Sequence, residues 1–442
     1  MSNLRRTAII TAAAVIAVSM LFLPAGASVS AASAASCNAP FPQHADYYSC
    51  TLPSVSRAKI DRETEDYYDL WKARYVRTDK YYRKSQGVTT RYILYNQNHQ
   101  TYADTKNTVA VTTSEAEGYG MIITAAMAGY DKDAKEYFDS MYRYYRRFRS
   151  TANEGTYLMA WQQSDTGRKL VCTGGRCSAS DGDIDIAYAL LLADKQWGSD
   201  GTVDYKQAAA GIISDIYKYE VNKTTGTIQY GDWVRWSKHS SREYTGTRSS
   251  DFITAELRAF VKADPAHDWN RVVRKTYAAV SYMNKKYSAD RGLLPDFMYR
   301  KDGKFRPEKP YKHESALDGG YGYNACRVPW RIGTDYLVNG STSAGKETAR
   351  LNKWIRKKTG GDPAKIAAGY KLSGKKAADY SDMCFTAPFL VSAVCDTSGD
   401  AAAQKWTDAL WEKVTEKKTE NYYNDTLKLL CMITAGGNWI TP

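Results

Sequence analysis

Along most of the chain apolar residues recur at the three-to-four-residue spacing of a helix, and that spacing predicts about a dozen helices. They fall near residues 60–78, 115–130, 133–149, 183–197, 204–221, 250–263, 268–287, 326–340, 347–358, 384–396, 401–418 and 424–436, mostly joined in pairs by short turns. Strand-like alternation is confined to short pieces such as YILYN (92–96) and TVAVTT (108–113). No repeat of fixed period is visible, and beyond about residue 55 no low-complexity stretch separates domains. The expectation is an all-α domain of paired helices closed into a ring or stacked into a solenoid. Periodicity alone does not choose between them.

The first 35 residues break this pattern. Arg5 and Arg6 precede an apolar run interrupted by Thr11, Ser19 and Pro24, and A-x-A-like sites follow. This layout predicts a signal peptide over 1–35 rather than an uncleaved membrane anchor, and a single exported, extracellular domain over 36–442. Eight cysteines fit such a compartment and favour disulfides. The pairs Cys37–Cys50, Cys172–Cys177, Cys384–Cys395 and Cys326–Cys431 are expected. Five histidines and no C-x-x-C argue against a structural zinc site, and neither metal nor cofactor is expected.

The 442 residues carry a formal charge of +13, a surplus that draws polyanions. The basic residues are dispersed, so most of the charge reads as solvated surface, with adhesion to an anionic wall a lesser role. Neither nucleic acid nor membrane is an expected partner, and the protein is expected to be a monomer. Aromatics are abundant, with 35 Tyr and 11 Trp. Those in EYFDSMYRYYRRF belong to an amphipathic helix, whereas Trp161, Trp233, Trp236 and Trp330 lie in loops or at helix starts, where a ring serves either to stack on a sugar or to pack in the core.

Two helix starts share a layout. Ser114-Glu115-Ala116-Glu117 and Ser180-Asp181-Gly182-Asp183 both match the capping box, in which the serine and the carboxylate three residues later cap each other. That assigns Glu117 and Asp183 to capping and leaves Glu115 and Asp181 on the first turn without a structural duty. A helix N-terminus lowers a carboxyl pKa, so a proton donor at Glu115 needs burial or like-charged neighbours. A third cluster, YKHESALDGGYGYNACRVPWRIGTDY (311–336), brings Glu314, Asp318, Arg327 and Arg331 together with Tyr321, Tyr323 and Trp330.

These segments resemble a known family. SASDGDIDIAYALLLADKQW, T-S-E-x-x-G-Y-G-M, Y-N-A-C-R-V-P-W-R-I and the final GNWITP are similar, in order, to the signature blocks of glycoside hydrolase family 8. The resemblance implies an (α/α)6 barrel with a groove across one end and inverting hydrolysis of β-1,4 linkages without metal. By position, Glu115 matches the general acid and Asp181 the carboxylate that holds the distorted sugar. Asn324 occupies the slot where one branch of the family has its aspartate base. A second branch, containing chitosanases, lichenases and endoglucanases, takes its base from a loop glutamate matched by Glu314, with Asp318 in reserve. Substrate contacts are expected from Tyr119, Trp161, Asp183, Trp233, Tyr323, Asn324 and Arg327, and Arg327 is also expected to keep the base ionised.

The expected function is thus a secreted inverting endo-β-1,4-glycanase acting on chitosan, β-glucan or both. Glu117, Asp183, Asp232, Asp251 and Asp296 as ammonium-binding groups tilt the expectation slightly towards chitosan. The alternative is a lichenase or cellulase without chitosan activity. A polysaccharide lyase or a non-catalytic glycan-binding protein would represent other classes.

Overall fold

Two kinds of helix alternate through the computed structural model, which describes residues 36–96, 108–172 and 174–442. In chain order the helices are α1 (Arg57–Tyr75), α2 (Lys80–Gln86), α3 (Ser114–Ala126), α4 (Ala134–Arg147), α5 (Ser180–Trp197), α6 (Tyr205–Tyr219) and α7 (Thr254–Ala263). They continue with α8 (Trp269–Tyr287), α9 (Val328–Asn339), α10 (Thr342–Thr359), α11 (Met383–Val394), α12 (Ala401–Thr415) and α13 (Tyr422–Ala435).

Helices α3, α5, α7, α9, α11 and α13 pack successively against one another, and α13 returns to α3, closing a ring. Around it α4, α6, α8, α10, α12 and α1 each back one inner helix. The result is an (α/α)6 barrel, so the ring and not the solenoid is formed. A helix walled in on every side keeps no polar face. Accordingly, Glu115 is the only residue of α3 that is not buried, and Tyr423 the only one of α13. The outer helices keep a wet face, as α4 does with its alternating aromatic and basic residues.

All twelve expected helices are present, with ends shifted by a few residues. Only α2 was not expected. It buries no residue, so it has no apolar period, and it is held by Asp79 accepting the Tyr81 and Tyr82 amides at 3.0 Å each. Three small antiparallel sheets decorate the barrel: β1 (Val76–Thr78) with β2 (Arg91–Ile93), then β3 (Val109–Thr113) with β4 (Gln162–Asp165) and β5 (Leu170–Val171), then β6 (Gly246–Arg248) with β7 (Phe297–Lys301) and β8 (Lys304–Pro307).

The expected signal peptide lies outside the described residues. Among those described, no helix is long and apolar enough to cross a membrane. All eight cysteines are free thiols, so none of the four expected pairs forms. Short sequence spacing misled here. The thiol of Cys384 lies beside Cys326 and that of Cys395 near Cys50, neighbours brought together by the ring.

Candidate active site

Because inner and outer helices are antiparallel, the inner N-termini meet at one end of the barrel. Helices α3 and α5 come closest there. A Cβ at Gly182 would fall 2.4 Å from Ser114 Oγ, and one at Gly118 would fall 2.6 Å from the Asp185 Cβ. Only glycine permits that approach, and it sets the first-turn residues Glu115 and Asp181 side by side.

Neither helix start is a capping box. Thr113, one residue earlier, caps α3 by accepting the Ala116 N–H at 3.2 Å, and Ala179 begins α5 without a side-chain cap. Glu117 is fully buried beside Ile93, where burial lifts its pKa well above the usual carboxylate range. Asp183 is buried as well. Its Oδ1 accepts the Met159 N–H at 2.7 Å, and burial together with Glu220 raises its pKa.

A cavity of about 490 Å³ opens over these termini, lined among others by Tyr95, Glu115, Trp161, Asp181, Arg248, Glu314, Tyr323, Asn324, Arg327, Tyr422 and Tyr423. Arg327, just ahead of α9, organises it. Its Nη1 donates to Glu115 Oε2 at 2.7 Å, to Asp181 Oδ2 at 3.0 Å and to the Tyr119 hydroxyl at 3.1 Å. Its Nη2 donates to Asn324 Oδ1 at 2.9 Å, and Asn324 Nδ2 donates in turn to Glu314 Oε2 at 2.8 Å. Two hydrogen-bonded residues therefore join the helix-borne carboxylates to the loop glutamate.

The carboxylates are tuned apart. Asp181 lies between Arg327 and Arg248, whose Nη2 donates to Asp181 Oδ1 at 3.1 Å. Burial would raise its pKa, but the two arginines and the Gly182 amide outweigh burial and hold it down to about 2. Glu115 keeps one fifth of its side chain exposed to the cavity. Burial lifts its pKa, Arg327 opposes, and Asp181 and Asp185 add to the lift, so the net shift is upward. This supplies the condition that a proton donor on a helix N-terminus requires.

Glu314 is exposed at the tip of a loop that Asp318 folds. Buried Asp318 accepts the amides of His313 at 2.5 Å, Glu314 at 3.1 Å and Ser315 at 2.8 Å. With its oxygens so occupied, Asp318 shapes the loop and is no reserve base. Downstream, Asp296 Oδ1 accepts the Gly322 and Ala325 amides at 2.9 and 2.7 Å. A Cβ at Gly322 would lie 2.4 Å from Asp296 Oδ2, which is why glycine stands there.

Glu115, Asp181, Glu314, Trp161, Tyr323, Asn324 and Arg327 are thus brought to one cavity. Three expected substrate contacts are not. Tyr119 is fully buried under Arg327, Asp183 is internal, and Trp233 packs on Tyr230 and Phe297. Of the other loop tryptophans, Trp330 is core and donates to Thr434, while Trp236 is exposed away from the cavity lining. Arg327, expected to keep the base ionised, touches Glu115 and Asp181 and reaches Glu314, the expected base, only through Asn324.

Residues the sequence reading missed include Arg248, Tyr95, Tyr422 and Tyr423. The Tyr422 hydroxyl donates to Glu115 Oε1 at 3.1 Å, and Tyr423 covers Tyr323 by donating to its carbonyl at 2.5 Å. Both begin α13, as Glu115 begins α3, so the signal was a polar or aromatic residue at the start of another inner helix.

An (α/α)6 barrel with carboxylates gathered in a cleft at one end is the layout of a glycoside hydrolase. Residues 40–437 match Glycosyl hydrolases family 8, and the chain belongs to that family. It is 38% identical over 406 residues to a beta-glucanase of Niallia circulans, covering 91% of this chain and 92% of the relative. An endoglucanase of Bacillus sp. (strain KSM-330) is 34% identical over 411 residues, covering 91% and 82%. The apo structure of a beta-1,3-1,4-glucanase from Paenibacillus sp. X4 superposes with a TM-score of 0.82 at 38% identity, covering 92% of this chain and all of that one. The protein is an endo-acting glycoside hydrolase.

Proposed function

We propose that the protein is an inverting endo-β-glucanase that cleaves neutral, β-1,4-linked glucan chains, mixed-linkage β-1,3-1,4-glucan among them. Glu115 protonates the departing oxygen, Glu314 deprotonates the attacking water, and ionised Asp181 holds the sugar at the cleavage point. The observation that carries this reading is the placing of Glu115, whose pKa burial raises, and the exposed Glu314 in the lining of one cavity.

In the reaction, the glycosidic C–O bond breaks as the water oxygen bonds to the anomeric carbon from the opposite face. One proton passes from Glu115 to the leaving oxygen and one from water to Glu314. Asn324 holds Glu314 Oε2, and Oε1 carries no hydrogen bond among the described residues, so it is the oxygen open to water. Arg327, 2.7 Å from Glu115 Oε2, takes up the negative charge that Glu115 acquires. Asp181, kept anionic at a pKa of about 2, opposes the positive charge that develops on the sugar ring.

Support for neutral glucan over chitosan comes from where the acids lie. Glu117, Asp183, Asp232, Asp251 and Asp296 are all buried, which removes the ground for the tilt towards chitosan. Within the cavity Asp181 is already matched by two arginines. The two glucanase relatives point the same way. Pure protein is expected to release reducing ends from mixed-linkage β-glucan at least about a hundredfold faster than from chitosan. Comparable rates on the two polymers would sink the glucan assignment. Proton NMR of fresh hydrolysate should record the α-anomer first, and a β-anomer would exclude inversion.

Asp318→Asn weakens the fold of the base loop without touching substrate. It should lower kcat by about tenfold or more with KM little changed, since a displaced base slows chemistry more than binding. An equal rise in KM would argue that the loop binds substrate and does not position the base. Residues 1–35 are proposed to act as an export signal, on the strength of their pattern, and the enzyme to work as an extracellular monomer.

A further inference from the structure

Outer helices run opposite to the inner ones, so their C-termini rise to the same end of the barrel as the cleft. Helix α8 ends there with Lys285 and Lys286, and α10 with Arg356, Lys357 and Lys358. A cation in the last turn complements the helix dipole, and that accounts for these residues. It does not account for Lys353, a turn earlier on α10, or for Lys375 and Lys376 in the turn beyond.

These segments form one surface. Asn284 at the end of α8 donates to Glu347 of α10 at 2.5 Å, and Arg291 Nε donates to the Leu372 carbonyl at 2.9 Å. A Cβ at Gly374 would lie 2.9 Å from Arg291 Cδ and 3.3 Å from Trp354 Nε1, so the 371–376 turn rests directly on both. Lys285, Lys286, Lys353, Lys357, Lys375 and Lys376 are all exposed, and none is in an ion pair among the described residues. Glu347, the only acid of α10, is buried, and Asp290 is the only exposed acid between residues 284 and 292. Among the lysines sits Trp354, half-buried with its ring edge-on to Tyr370 at 5.0 Å.

The surface also adjoins the cleft. Tyr370 and Tyr321 exchange backbone hydrogen bonds at 2.8 and 2.9 Å, two residues before cavity-lining Tyr323. Unpaired ammonium groups beside one another repel, a cost that an anionic ligand relieves. A partly exposed indole lies among them, the kind of side chain that contacts sugar rings. A neutral glucan has no use for the charge, and a small anion has no use for an extended row.

We propose that this face, outside the catalytic cavity, docks an acidic polysaccharide and holds the enzyme beside a carboxylated polymer while the cleft works on neutral glucan. The test is affinity electrophoresis of the full protein in gels containing polygalacturonate, its methyl ester, or inorganic polyphosphate. Retardation by polygalacturonate is expected at low ionic strength and should vanish at high salt and with the uncharged ester. The variant K353E/K357E/K375E/K376E should bind polygalacturonate at least about tenfold more weakly while turning over soluble neutral β-glucan at the parental rate. That rate certifies folding and tests the catalytic reading separately from docking. No retardation, or undiminished retardation of the variant, would overturn the proposal. Equal retardation by polyphosphate of matched charge would overturn the polysaccharide assignment.

Discussion

Glu115→Gln is expected to cut turnover of β-glucan by about a thousandfold. The amide matches the carboxyl in size, so Tyr422 and Arg327 keep a neighbour of the same shape, but it gives up no proton at working pH. The loss should shrink sharply on an oligosaccharide with an activated leaving group, such as a glycosyl fluoride, because such a group departs without protonation. The same residue sets the alkaline side of the parental pH profile. Glu115 must hold its proton to act, and burial with Asp181 and Asp185 raises its pKa over the opposition of Arg327. Activity should therefore persist into pH values at which an ordinary glutamate is ionised, and fall as pH rises through the lifted pKa. Unchanged polymer cleavage by the variant would show that Glu115 is not the acid.

For Glu314→Gln the expected loss is of similar size, about a thousandfold, with oligosaccharide binding retained. Here an activated leaving group should bring no recovery, because the attacking water still lacks its base. Azide, a nucleophile that needs no deprotonation, should restore turnover of the activated substrate and yield an α-configured glycosyl azide. The two variants thus separate the roles. If azide rescued Glu115→Gln and the activated leaving group rescued Glu314→Gln, acid and base would have to be exchanged. Loss of oligosaccharide binding in Glu314→Gln would instead make the loop a binding element.

Asn324 shows why the pair needs testing together. It stands between Arg327, which holds Glu115, and Glu314 itself, so its amide is bonded on both sides. A carboxylate in its place would face Glu314 at hydrogen-bond distance, and two anions so close do not both stay ionised. An amide at 324 and a glutamate at 314 are mutually consistent in a way that their ten-residue separation does not reveal.

The helices were legible because each carries its own apolar period, and burial of one face or of all faces leaves that period in the residues. Glu115 and Asp181 stood out because they begin two such helices. The hairpin β7–β8 was missed although Asp302 and Gly303, both at positive φ, form a two-residue turn of the kind D-G commonly marks. Its strands are too charged and too short to show alternation clearly. The capping boxes failed for a different reason. Glu117 and Asp183 matched a local rule, yet the packing of α3 against α5 and β2 buries both and leaves them no path back to their helix starts.

By itself the sequence determined the helices, the order of the signature segments, and the identity of the residues able to give or take a proton, since these depend on neighbours within a turn or two. Tertiary structure alone decided that Asp181 is held low in pKa while Glu115 is raised, that Arg327 bonds Glu115 and Asp181, and which thiols are neighbours. It also decided that the acids suggested for ammonium binding are enclosed. Those properties arise from burial and from charges 67 to 212 residues away in sequence, as Arg248 is from Asp181 and Arg327 from Glu115, and the field at a carboxyl group depends on distance through space.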